Sequence, residues 1–165
     1  MASVAFSIWS MGRNTNKKMN VCAIIGTLFS FTIYKLSSND GISILTLVIF
    51  IRSLIYSCLP AKIKENSVAN IIPVIACIVQ AIVITTDFTL ASIAPLISCW
   101  IASCTYWKGS PQMIRWGNVI GSVLWSIFNI LSGLYIAEIG TILSILSSAY
   151  WIWCNRESAL TEIKA

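Results

Sequence analysis

Residues Val68 to Ile84 read VANIIPVIACIVQAIVI, a run of 17 residues without a charge and with Asn70 and Gln80 as its only polar side chains. A helix rising ~1.5 Å per residue carries such a run about 25 Å, close to the ~30 Å of hydrocarbon in a bilayer. A soluble helix alternates an apolar stripe with a polar one; this run has no polar stripe, so it reads as a span solvated by lipid.

Working outward, five further runs have the same character: Val21 to Leu36, Ile42 to Leu59, Thr89 to Trp107, Trp116 to Tyr135 and Ile136 to Trp153, so that the six together measure 16 to 20 residues each. Ahead of them, Met1 to Met11 is apolar but only half as long as a span. Its basic neighbours Arg13, Lys17 and Lys18 follow it, whereas a secretory signal places them before. The segment reads as a shortened or truncated first helix. The expected fold class is an all-α membrane protein of about seven transmembrane helices, the first one short. Whole-chain composition agrees: 57% of the 165 residues are hydrophobic and 10% are charged, against about a quarter charged in soluble domains.

Basic residues sort by loop. Arg13, Lys17, Lys18, Lys62, Lys64, Lys108, Arg115, Arg156 and Lys164 follow the odd-numbered spans, whereas the opposite side receives Lys35 with the acidic Asp40, Asp87 and Glu138. By the positive-inside rule this places the N-terminus in the periplasm and the C-terminus, residues 154–165, in the cytoplasm of a bacterial inner membrane. The formal charge of +5 is thus a topology signal. Its residues are scattered between apolar runs and form no basic stripe with interleaved aromatics, so no nucleic-acid partner is expected.

Catalysis finds little support. Histidine is absent, the six cysteines form no CxxC pair, and no phosphate-cradling glycine loop, nucleophile elbow or carboxylate pair is present. No enzyme activity, cofactor or metal is expected, and the cysteines read as small apolar packing residues. Trp9, Trp107, Trp116, Trp151 and Trp153 fall near span ends as an aromatic belt would; Trp100 and Trp125 lie deeper.

Shifting the chain by 95 residues lays Ile25-Gly26-Thr27 on Ile120-Gly121-Ser122, and Leu36-Ser37-Ser38 on Leu131-Ser132-Gly133. With seven spans, such a shift divides the chain into a first three-helix bundle (1–59), a linker helix (60–88) and a second bundle (89–153) in the same orientation, a parallel repeat of the kind found in transporters.

Several stretches carry a family likeness: Ile51-Arg52-Ser53-Leu54-Ile55, Ala94-Pro95-Leu96-Ile97-Ser98, Trp107-Lys108-Gly109, Arg115, Phe128-Asn129, Ser132-Gly133 and Ile136-Ala137-Glu138-Ile139-Gly140. On these the chain resembles the bacterial inner membrane protein family typified by YgjV, which is similar in organisation to the SWEET and PQ-loop transporters. The resemblance implies two parallel bundles and a role for Asn129 near a substrate. Two departures stand out: the first helix is shorter than the family's, and Pro95 has no proline counterpart in the first bundle.

Arg52 is the sharpest single residue, because an ionised guanidinium within a span is expensive and marks function unless it snorkels to the interface. Together with Trp125 and Asn129 it forms the candidate substrate site. Asn118, Asn129 and Gln80 can also act as interhelical hydrogen-bonding residues. Gly117 and Gly121 form a GxxxG face for helix packing, or for a homodimer contact. Pro95 is a candidate hinge and Pro73 a second kink. Asp87 and Glu138 read as loop charges at the outer rim, with proton coupling the other reading. Two functions follow: a SWEET-like small-solute transporter or transporter-derived binding protein for a small polar solute, or a non-transporting membrane interaction protein that excludes or assembles other components.

Overall fold

A computed structural model describes residues 16–37, 40–85 and 89–155. The expected first helix, Met1 to Met11, and the tail beyond Asn155 lie outside the described residues. The elements are α1 (Asn16–Leu36), α2 (Asp40–Cys58), a short α3 (Ala61–Glu65), α4 (Ile71–Thr85), α5 (Ile93–Lys108), α6 (Pro111–Leu131) and α7 (Tyr135–Cys154), with 3₁₀ turns at Ser67–Asn70 and Leu90–Ser92. Among the described residues there is no strand.

Five segments are long and apolar enough to cross a membrane: Met19–Leu36, Asp40–Cys58, Ser67–Thr85, Leu90–Lys108 and Tyr135–Cys154. The sixth expected span corresponds to α6, which has the length, 21 residues, but not the apolarity. Its sequence is the most two-faced of the helices, and Gln112, Arg115, Ser122 and Asn129 are all buried on its inner side. Averaging along that sequence hides a helix whose polar residues are simply turned inward.

The distribution of side chains is inverted relative to a soluble protein. Ile78, Ile82, Ile136 and Leu146 stand more than half exposed, while Gln80, Ser103, Asn129 and Ser148 are 0% exposed. Water would reject that surface and lipid accepts it, so the all-helical chain has the build of a membrane protein. Hydroxyls within the helices satisfy themselves on the preceding turn, as Thr27 Oγ1 does on the Ala23 carbonyl (2.6 Å) and Ser53 Oγ on that of Ile49 (2.9 Å).

Successive helices run antiparallel, with α1 on α2, α5 on α6 and α6 on α7 as the main contacts. Helix α4 lies against both α2 and α5, whereas direct contact between α1 and α6 and between α2 and α5 is thin. Short connections fix these pairings. Ser110 caps α6 by accepting from the Met113 N–H (3.4 Å), with Pro111 at the first helical position. Lys64 folds back so that its Nζ donates to the Tyr56 carbonyl near the end of α2 (2.5 Å) and lies 5.7 Å from the Trp107 ring centre; partial burial lowers its pKa.

Three sequence expectations are corrected. The boundary between the last two spans falls earlier than Tyr135: α6 stops at Leu131, and Gly133 adopts φ 69. The Leu134 N–H then bonds the Asn129 carbonyl (2.8 Å) and the Gly133 N–H that of Ile130 (3.1 Å), a Schellman turn that a side chain at 133 would strain. Pro95, expected as a hinge, is the third residue of α5, and Pro73 is the third residue of α4. A residue in the first turn has no intrahelical acceptor to lose, so neither breaks its helix; both follow a 3₁₀ turn that tightens the entry. Arg115, counted as a loop charge, lies inside α6 at 2% exposure, with Nη1 donating to Gln112 Oε1 (3.2 Å).

Gly117 and Gly121 face α5. A Cβ at Gly117 would stand 2.9 Å from both Cγ2 and Oγ1 of Thr105, and one at Gly121 would stand 2.7 Å from Ser98 Oγ. This glycine face is thus filled within the chain by α5 and is not open for the homodimer contact the sequence allowed. Gly121→Val should therefore lower the unfolding midpoint of the detergent-solubilised protein by about 2–12 °C, the overpacking cost of ~1–3 kcal/mol at ~2–4 °C per kcal/mol; thermal melts of the purified variant check it.

Candidate functional site

Helices α1, α2, α5, α6 and α7 border a half-open cavity of about 270 Å³. Its lining repeats across a register of 95 residues: Thr27 with Ser122, Ser30 with Trp125, and Thr46 with Thr141 all border it. The same register appears toward both ends of the α1–α6 pair. At one end, Tyr34 Oη, from a residue that borders the cavity, donates to Asn129 Oδ1 (3.3 Å), two residues 95 apart that touch directly. At the other, outside the cavity lining, Met19 and Ile114, also 95 apart and both 0% exposed, pack together with Tyr106 and Trp151 against them.

Asn129 organises the first of these ends. Its Nδ2 donates to Thr141 Oγ1 (3.0 Å) and to Glu138 Oε2 (3.5 Å), and Ser126 Oγ donates to the other Glu138 oxygen (2.7 Å). Glu138, expected as a loop charge, sits instead in the first turn of α7, where a carboxylate also complements the helix dipole. Trp125 stacks on Tyr34 with ring centres 5.7 Å apart and meets the edge of Phe128 at 5.9 Å. Asn118 reaches across to α7, donating to Ser144 Oγ (3.0 Å) and Ser148 Oγ (2.7 Å).

Arg52 turns inward. It is 6% exposed and borders the cavity, and its Nη1 donates to the Cys99 carbonyl (3.1 Å) and to Ser103 Oγ (2.9 Å), both on α5. Snorkelling is thereby replaced by a buried charge held by a helix carbonyl and a hydroxyl. A charged residue at the centre of a span costs about 2.5–3.5 kcal/mol on insertion scales. Ser103 in turn bonds the Cys99 carbonyl (2.8 Å) and approaches Gln80 Oε1 at 3.5 Å, linking Arg52 to α4.

The three residues expected as the substrate site do not form one cluster of direct contacts. Trp125 and Asn129 belong to the aromatic and amide group around Tyr34, and Arg52 belongs to the α2–α5 contact; the cavity borders both Arg52 and Trp125. Sequence reasoning missed Tyr34 and Ser103. The register of 95 could have found the first, since it lays Tyr34 on Asn129; no pattern marks Ser103 among the many serines of the chain. Trp107, expected in an interfacial belt, is 5% exposed, with its Nε1 donating to Asn70 Oδ1 (3.2 Å) and its ring against Tyr56. Among the described residues no cluster of His, Cys, Asp and Glu could hold a metal ion, and Cys58, Cys77, Cys99, Cys104 and Cys154 are free thiols.

Compared with protein-family models, with curated proteins and with solved structures, the chain matches none.

Tyr34→Phe and Asn129→Leu should be coupled in a double-mutant cycle by about 0.6–2 kcal/mol, the range for hydrogen bonds between membrane helices. Asn129→Leu alone should cost more than Tyr34→Phe, because it also strands Glu138 and Thr141; denaturation in mixed micelles measures all three variants.

Proposed function

We propose that this chain is a multi-pass protein of a bacterial inner membrane that admits a small polar solute to the cavity between two parallel three-helix bundles, as a SWEET-like transporter or a binding protein derived from one. In this reading residues 1–11 add a short helix to α1 and α2, α4 is the linker, and α5, α6 and α7 form the second bundle, giving about seven spans. The basic residues of odd-numbered connections support a periplasmic N-terminus and a cytoplasmic C-terminus. The YgjV-like motifs support the same arrangement.

One observation carries the reading: a cavity that mixes hydroxyl and apolar side chains and whose walls repeat at 95 residues, with the equivalent residues Tyr34 and Asn129 in direct contact where Tyr34 borders it. The thin direct contact between α1 and α6 and between α2 and α5 suits a site that opens to one side at a time. The rival reading, a non-transporting interaction protein, loses its best docking face because Gly117 and Gly121 are covered by α5.

In a background freed of the native cysteines, Thr27→Cys and Ser122→Cys should react with a membrane-impermeant methanethiosulfonate, and opposite membrane faces should each give partial labelling. Proteoliposomes should accumulate at least one small polar solute saturably, less so with Arg52→Ala. A cavity unreactive from both faces, together with no uptake above protein-free liposomes from a panel of neutral, anionic and zwitterionic solutes, would sink the proposal.

A further inference from the structure

Around Arg52, Nη1 donates to the Cys99 carbonyl and to Ser103 Oγ, and the one hydroxyl proton of Ser103 goes to the Cys99 carbonyl (2.8 Å) rather than to the more distant Gln80 Oε1 (3.5 Å). Three polar atoms that can donate are buried without a partner, namely Arg52 Nε, Gln80 Nε2 and Tyr56 Oη. Their residues are 6%, 0% and 1% exposed, and the guanidinium carbon lies 5.8 Å from the Tyr56 ring centre. No carboxylate compensates the charge: among the described residues the one ion pair is Lys35 with Asp40, at the surface. A buried guanidinium ordinarily has an anionic partner, and an unpaired buried donor is costly to maintain. Arg52 also borders the cavity, so the missing partner has a route to it.

We infer that Arg52 binds the carboxylate of a small monoanionic solute, deepening the proposed function by naming the substrate class; the inference rests on the reading that the cavity admits a solute. The planar guanidinium offers parallel N–H groups that match the two oxygens of a carboxylate. One fixed positive charge balances one negative charge, whereas a phosphate dianion would leave an uncompensated charge in a low-dielectric site. A cavity of about 270 Å³ admits a chain of a few carbons, and Ile49, Ala102 and the Thr46 methyl give that chain an apolar wall.

Isothermal titration of the full-length protein in nanodiscs, in chloride-free sulfate buffer, tests this with butyrate, its uncharged isostere butyramide, and chloride. Butyrate should bind saturably, with butyramide and chloride each at least about ten-fold weaker; Arg52→Lys, which keeps the charge but loses the fork, should weaken butyrate about ten-fold, and Arg52→Gln should abolish its binding. Equal affinity for butyrate and butyramide, equal affinity for chloride, or no butyrate binding by wild-type protein that melts cooperatively would overturn the inference, and none of these needs a variant to fold. Uptake separates the two proposals. Butyrate binding without proteoliposome uptake removes transport and leaves the carboxylate site, while uptake of neutral solutes with no butyrate binding removes the site and leaves transport.

Discussion

Lipid cannot satisfy a hydrogen bond, so every polar side chain within the helices has to find its partner inside the protein. This constraint sets which face of each helix turns inward. In α6, Asn118 and Asn129 face α7 and the cavity, while Ile120, Val123, Ile127 and Ile130 stand about half exposed on the outside. Apolar burial contributes little to such an arrangement, because lipid tails are as apolar as the side chains they would replace. What joins the helices is close backbone approach at Gly117 and Gly121 and a set of amide and hydroxyl bonds between helices.

Those bonds fall into two groups with different consequences. Around Asn129, each donor meets an acceptor: Tyr34, Thr141, Ser126 and Glu138 close a network that joins α1, α6 and α7. Around Arg52 the balance fails, with Nε of the guanidinium and the Gln80 amide left over. A balanced network rigidifies, and an unbalanced one is where a protein retains something other than stability. The cavity borders residues of both groups, with Tyr34 on one and Arg52 on the other.

Part of the cavity lining recurs at a spacing of 95 residues. Equivalent positions such as Thr27 and Ser122 present hydroxyls from α1 and α6, and the equivalent pair Tyr34 and Asn129 meets directly. The equivalence is chemical only in part. Ser30 is answered by Trp125 and Ala23 by Asn118, so the two sides line the cavity with different side chains. Arg52 has a serine, Ser147, at its equivalent position, which leaves the positive charge on one side only.

The sequence alone determined the solvent of this protein and the number and approximate limits of its long described helices, because apolarity sustained over 16 to 20 residues is a local property. It also carried the 95-residue spacing, legible in single residues, and singled out Arg52 as a charge within a span. The limits failed where the signal was one glycine, at Gly133; α6, read as a span from Trp116, is not among the five segments apolar enough to cross a membrane because it carries its polar residues on one side. Only the tertiary structure decided which way Arg52 points, that Pro95 opens a helix instead of bending one, that Glu138 serves Asn129, and that Gly117 and Gly121 meet α5. Each of these depends on which neighbour stands across a helix face, and that is fixed by the packing of residues tens of positions apart, which no local pattern encodes.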